Sequence, residues 1–115
     1  MGHPILDKSF NFAIKVIEFC ELLDKERKFA VSNQLVRSGT SVGANIRESQ
    51  NPHSRADFIS KLVIAAKEAN ETEYWPLICK ESKSYPDPGA LLDDIAEINR
   101  LLSSIISSSK RNSKK

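Results

Sequence analysis

Apolar residues return every three or four positions through four separate stretches, and only short breaks that favour turns lie between them. That pattern constrains the fold of this chain more than any other of its properties. The first stretch runs from about Asp7 to Glu26, with Leu6, Phe10, Ala13, Ile14, Ile17, Cys20 and Leu23 as its apolar stripe. Lys8, Lys15, Glu18 and Glu21 point elsewhere. Asp7 reads as an N-cap, and Pro4 upstream blocks an earlier start. The charged run from Asp24 to Lys28 marks the turn.

The second stretch runs from about Ser32, a candidate cap, to Gln50, with Leu35, Val42, Ile46 and the small Gly39 and Ala44 inside. Asn51-Pro52 stops it, because proline cannot continue the hydrogen-bond ladder and restricts the residue before it. The third runs from about Ser54 to Ser84, with Ala56, Phe58, Ile59, Leu62, Ala65, Ala66, Ala69, Trp75, Leu77 and Ile78 in register. Ser54 and Asp57 have the spacing of a capping box. Tyr85-Pro86-Asp87-Pro88-Gly89 is a break.

The fourth runs from about Pro88, placed for a first-turn position, to Ser108. Leu91, Leu92, Ile95, Ile98, Leu101, Leu102, Ile105 and Ile106 form its seam. Ser107-Ser108-Ser109 then leads into the polar, basic residues 110–115, which read as a frayed, disordered tail.

Four such helices with three short connections predict an all-α fold, an antiparallel up-down-up-down four-helix bundle over residues 1–109. No clean period-two alternation and no Asn-Gly or Asp-Gly hairpin turn argues for a strand. Phe12, Phe19, Phe58, Tyr74 and Trp75 are more aromatic surface than one narrow core accepts, and the surplus predicts a subunit interface.

Charge narrows the function classes. The net charge of +2 hides an uneven distribution, because Lys110, Arg111, Lys114 and Lys115 all sit at the end. Residues 1–109 hold 13 basic and 15 acidic side chains, a net of −2. A basic nucleic-acid face therefore rests on the tail or on a local patch. Cys20 and Cys79 lie among apolar neighbours and read as buried free thiols of a reducing, cytoplasmic compartment. No signal peptide and no apolar run long enough for a membrane span is expected.

The segment from Arg37 to Glu48, Arg-Ser-Gly-Thr-Ser-Val-Gly-Ala-Asn-Ile-Arg-Glu, is poor helix material. Each Gly costs about 1 kcal/mol against Ala in a helix interior, and Ser, Thr and Asn compete for local backbone bonds. A packing reason is needed. Gly39 and Gly43, four apart with Ala44 beside them, predict a close-packing face. Arg37, Asn45 and Glu48 predict a polar network with Glu68, Glu71 and Glu73 of the third helix.

Catalytic readings fail on context. Gly39-Thr40-Ser41-Val42-Gly43 matches the G-x-S-x-G nucleophile elbow, but that motif needs a preceding strand and acid and histidine partners in order. Here the flanks are helical, and His53 follows Ser41 with no Asp between. No Glu-x-x-His pair, no His or Cys pair at ligand spacing and no phosphate-binding loop occurs. No catalytic residue, cofactor or metal is expected.

Leu35 to Glu48, together with Asp57 to Leu62 and Ala65 to Trp75, resembles the bacterial four-helix bundle family named for proteins encoded in intervening sequences of 23S ribosomal RNA genes. The resemblance runs from about Phe10 to Ile106. It implies a ring-like homopentamer with no established catalytic activity, and its relatives include the nucleic-acid-binding and reverse-transcriptase-binding accessory protein of diversity-generating retroelements. Pro76 departs from the pattern and is expected to kink the third helix. Candidate phosphate contacts are Arg37, Arg47, Lys110, Arg111, Lys114 and Lys115, on a partner that is RNA, DNA or a nucleoprotein. Docking of a partner enzyme through apolar helix faces, without nucleic acid, is the other reading.

Overall fold

The computed structural model describes residues 4–113 as four helices: α1 (Pro4–Lys25), α2 (Phe29–Glu48), α3 (Arg55–Glu81) and α4 (Leu91–Ser113). Each helix packs on its neighbours in chain order, and α4 closes the ring against α1. The backbones of the diagonal pairs stay apart, and those helices meet only through core side chains. The extents of 52 × 26 × 22 Å are about two helix diameters across and longer than any one helix, α3 with its 27 residues spanning about 40 Å. This is the expected antiparallel four-helix bundle, and no strand occurs among the described residues.

Local chemistry moves several helix ends away from the sequence reading. Pro4 opens α1, so Asp7 is not its cap but lies in the first turn, where its charge favours the helix dipole. At the other end Arg27 adopts a left-handed conformation (φ 63°). The Lys28 N–H then reaches Leu23 O at 2.8 Å and the Arg27 N–H reaches Asp24 O at 2.9 Å, a Schellman closure. That turn delivers the chain into α2 at Phe29. Ser32 is therefore inside the helix and buried rather than capping it.

Ser54 does cap α3: its Oγ accepts the Asp57 N–H at 3.0 Å. Asp57 Oδ2 answers by accepting the His53 N–H at 3.1 Å, one residue outside the standard box. The helix runs unbroken through a buried Pro76 to Glu81. Pro88 is not in α4. It is buried in the preceding loop, where Asp87 accepts the Gly89 N–H at 3.1 Å and Gly89 takes φ +62°. The expected tail is corrected over residues 110–113, and residues 114–115 lie outside the described residues. α4 stays helical to Ser113, with Ser109 still buried and Lys110 and Arg111 in the last turn, a placement its dipole favours.

The core joins Ile5, Phe12, Val16, Phe19 and Leu23 of α1 to Val31, Leu35, Val42 and Ile46 of α2. Leu62, Ala65 and Ala69 of α3 and Leu91, Ile95, Ile98 and Leu102 of α4 complete it. The seam of α4 is as expected. The stripe of α1 is not: Phe10, Ile14 and Ile17 face outward, and Phe12, Val16 and Phe19 turn in. The helix carries two apolar stripes of equal period, and only one can meet α2 and α4.

The two thiols are buried and free. Ser32 Oγ donates to Cys20 O at 3.3 Å while Cys20 Sγ donates to Ser32 O at 3.5 Å, a reciprocal tie between α1 and α2. Burial raises the Cys20 pKa from 9.0 to about 11 and does the same for Cys79, with the Cys20 thiol a second cause there. Both are expected to resist iodoacetamide at pH 8 in the native protein and to react in urea. The sign of the pH dependence follows. Above pH 9.0 the unfolded chain loses these protons first, so stability falls between 9.0 and about 11. The double variant Cys20→Ala/Cys79→Ala has a shallower loss over that window in thermal melts.

Candidate interaction surface

Two glycines bring α1 and α2 together. A Cβ on Gly39 would lie 2.9 Å from both Val16 methyls, and one on Gly43 would lie 3.3 Å from the Ser9 backbone oxygen. The close-packing face is therefore real, and its partner is α1. Ala44 does not share it. It is exposed on the outer side of the same contact.

There it lines a groove of about 430 Å³ with Leu6, Ser9, Phe10, Ala13, Thr40, Gly43 and Arg47. Phe10 (59% exposed), Ile14 (45%) and Ile17 (44%) continue the apolar surface along α1. Residues three and four apart share one helix face, so these three form a single stripe. The odd segment of α2 thus has an inner edge built for close approach and an outer edge bordering this apolar surface. Arg47 stands at the edge, exposed, and makes no ion pair among the described residues.

The polar network forms only in part. Arg37 reaches across to α3, with Glu68 Oε1 at 3.3 Å and Glu71 in a shorter contact. The hydrogen bond from Arg37 is the main reason the Glu71 carboxyl stays below its ordinary pKa, and the Trp75 indole N–H, 3.3 Å away, adds to it. The same bond to Glu71 holds the guanidinium above its ordinary pKa. Arg37 is thereby neutralised. Asn45 instead donates within α2 to Ser41 O (2.9 Å) and Ser41 Oγ (3.2 Å). Glu48 pairs with Lys61 at 3.5 Å, and Glu73 lines a groove between α3 and α4. Ser38 Oγ is buried with no partner.

Ser41 lies mid-helix in α2, so the elbow motif lacks the strand-to-helix turn that activates its serine. Among the described residues no three His, Cys, Asp or Glu side chains gather as a metal site. No described helix is long and apolar enough to cross a membrane.

Of the cations expected to meet phosphate, Lys110 lies with Arg55 and Lys67 around a second groove, between α3 and the end of α4. Arg111 follows on α4, and Lys114 and Lys115 lie outside the described residues. Sequence reasoning missed Arg55 and Lys67. The available signal was that the two cations bracket the i, i+4 apolar positions Ile59 and Val63 of the third helix.

A helical bundle with exposed apolar and basic faces defines the class. The family model for the 23S rRNA-intervening sequence protein matches residues 3–104, and the chain belongs to that family. A solved structure, a protein of unknown function from the S23 ribosomal protein family of Bacteroides thetaiotaomicron, is 48% identical. It covers 89% of this chain and 97% of its own, with a TM-score of 0.83. Among curated proteins none matches.

Proposed function

We propose that this protein is a non-catalytic, homo-oligomeric scaffold that assembles through the outer face of α1 and presents basic side chains to a nucleic acid or nucleoprotein. The single observation that carries the reading is the stripe of Phe10, Ile14 and Ile17, three large apolar side chains left 44–59% exposed and running on from the α1–α2 groove that Phe10 lines. A contiguous exposed apolar patch marks an interaction site more often than a scattered residue does. Five chains is the number that the family resemblance implies, and five copies would concentrate the basic ends of α4. Phosphate binding by such an assembly draws on counterion release.

The second reading is a protein-docking module without nucleic acid. The pairing of Arg37 with Glu68 and Glu71 favours it, because a guanidinium held by two carboxylates is a poor phosphate ligand. Light scattering with single-stranded RNA and duplex DNA at two salt concentrations separates them. The scaffold reading expects a mass several times the 12.9 kDa of one chain, rising with nucleic acid at low salt only. An oligomer indifferent to both nucleic acids leaves the docking module. A monomer removes the assembly claim altogether.

A further inference from the structure

The surface of α1 has a complement elsewhere on the same molecule. Between α3 and α4 runs a groove of about 920 Å³ whose floor is Ala56, Ile59, Val63 and Ile64 and whose rim carries Arg55, Lys67 and Lys110. Its volume is at the upper end for small-molecule sites, roughly 300–1,000 Å³, but six of its lining residues are exposed, so it is a trough rather than a pocket. It continues past Val63 and Lys67 toward Asn70, Glu73 and Asn99. Arg55 and Lys67 make no ion pair among the described residues. An apolar floor with a cationic rim fits a helix that is apolar along one stripe and acidic beside it.

The outer face of α1 is such a helix. Phe10, Ile14 and Ile17 are its stripe, and the exposed Asp7, Glu18 and Glu21 flank it without an ion pair among the described residues. Asp7 to Glu21 spans about 21 Å and Arg55 to Lys67 about 18 Å at 1.5 Å per residue, so the charged ends of the two faces match in length. The backbone of α1 lies against α2 and α4 and diagonally across the core from α3, which keeps the two outer faces apart within one chain.

We infer that the occupant of the α3–α4 groove is α1 of a second copy, laid with its apolar stripe on the floor and its carboxylates at the cationic rim. This rests on the self-association proposed above and names both of its surfaces. The contact is heterologous: each chain offers α1 to one neighbour and its groove to another, which closes a ring where the rotation permits. Apolar burial holds the contact and the charges fix its register.

The test uses two variants of the full chain, altered only at exposed positions: Phe10→Asp/Ile14→Asp on α1, and Ile64→Asp/Lys67→Glu in the groove. Ser60→Arg is a second groove variant that blocks the trough by bulk, and circular dichroism confirms helicity in each. Alone, every variant runs at the mass of one chain by light scattering. Mixed in equal amounts, the α1 variant and a groove variant double that mass and go no further, because only one intact contact remains between them. If the groove variants keep the wild-type mass, α1 meets something other than the groove and the inference is wrong. Loss of RNA binding by a groove variant at unchanged mass overturns it equally, since the groove then serves phosphate. A single-chain mass for the wild type is the separate failure of the self-association reading.

Discussion

Phe12→Ala is expected to lower the unfolding free energy by about 3–5 kcal/mol, whereas Phe10→Ala, two positions away, changes it by less than about 0.5 kcal/mol. Both numbers refer to urea denaturation followed by helical circular dichroism in an Ile14→Asp background, so that assembly does not contribute. The contrast follows from the rotation of α1. Phe12 is 1% exposed within the core, and truncating it leaves a cavity that a close-packed interior refills only in part. Phe10 is mostly in solvent and leaves nothing behind. Reversal of the order would mean that α1 is turned by roughly half a circle from the orientation described.

Gly39→Ala is expected to destabilise by about 1–3 kcal/mol, even though alanine is the better helix former by about 1 kcal/mol. The new methyl would sit 2.9 Å from two branches of Val16, which is itself fully buried and has one strongly preferred rotamer in a helix. The clash has a specific partner, so the remedy is specific too. In Val16→Ala/Gly39→Ala the two costs should fall short of their sum by about 1 kcal/mol or more. Strict additivity would show that the glycine is not there for Val16. Gly43 is the gentler case, 3.3 Å from Ser9 O, where a small shift of α1 and the gain in propensity oppose each other.

The four helices were legible because α2, α3 and α4 each break at residues with strong local preferences: Asn51-Pro52, Ser54, and the Tyr85–Gly89 run. The seam of α4 was equally plain, since Leu91, Ile95, Ile98 and Leu102 offer no competing stripe of the same size. On α1 the period was right and the phase was wrong. Leu6, Phe10, Ala13 and Ile17 repeat as well as Ile5, Phe12, Val16 and Phe19, and periodicity alone does not choose between them. The small residues held the missing clue, because Ser9 and Val16 lie on the side that Gly43 and Gly39 must meet.

The glycine contact was readable as a need for close approach, and Arg37 as a partner of Glu68 and Glu71, since both follow from spacing on facing helices. Asn45 and Glu48 escaped because nearer partners win: Ser41, one turn back on the same helix, accepts from Asn45, and Lys61, across on α3, donates to Glu48. The tail escaped for a cooperative reason. Ser107 to Ser113 has no strong helix preference, but a helix already formed extends one bond at a time, and Ser109 still finds cover.

The central claim is that α1 uses one apolar stripe to fold and the other to assemble. Its most direct test is the light-scattering mass of the wild type beside Ile14→Asp, with the helicity of each recorded on the same sample. The account predicts a multiple of 12.9 kDa for the wild type and a single chain of unchanged helicity for the variant. Equal masses for the two, or a wild type that runs as one chain, would contradict it.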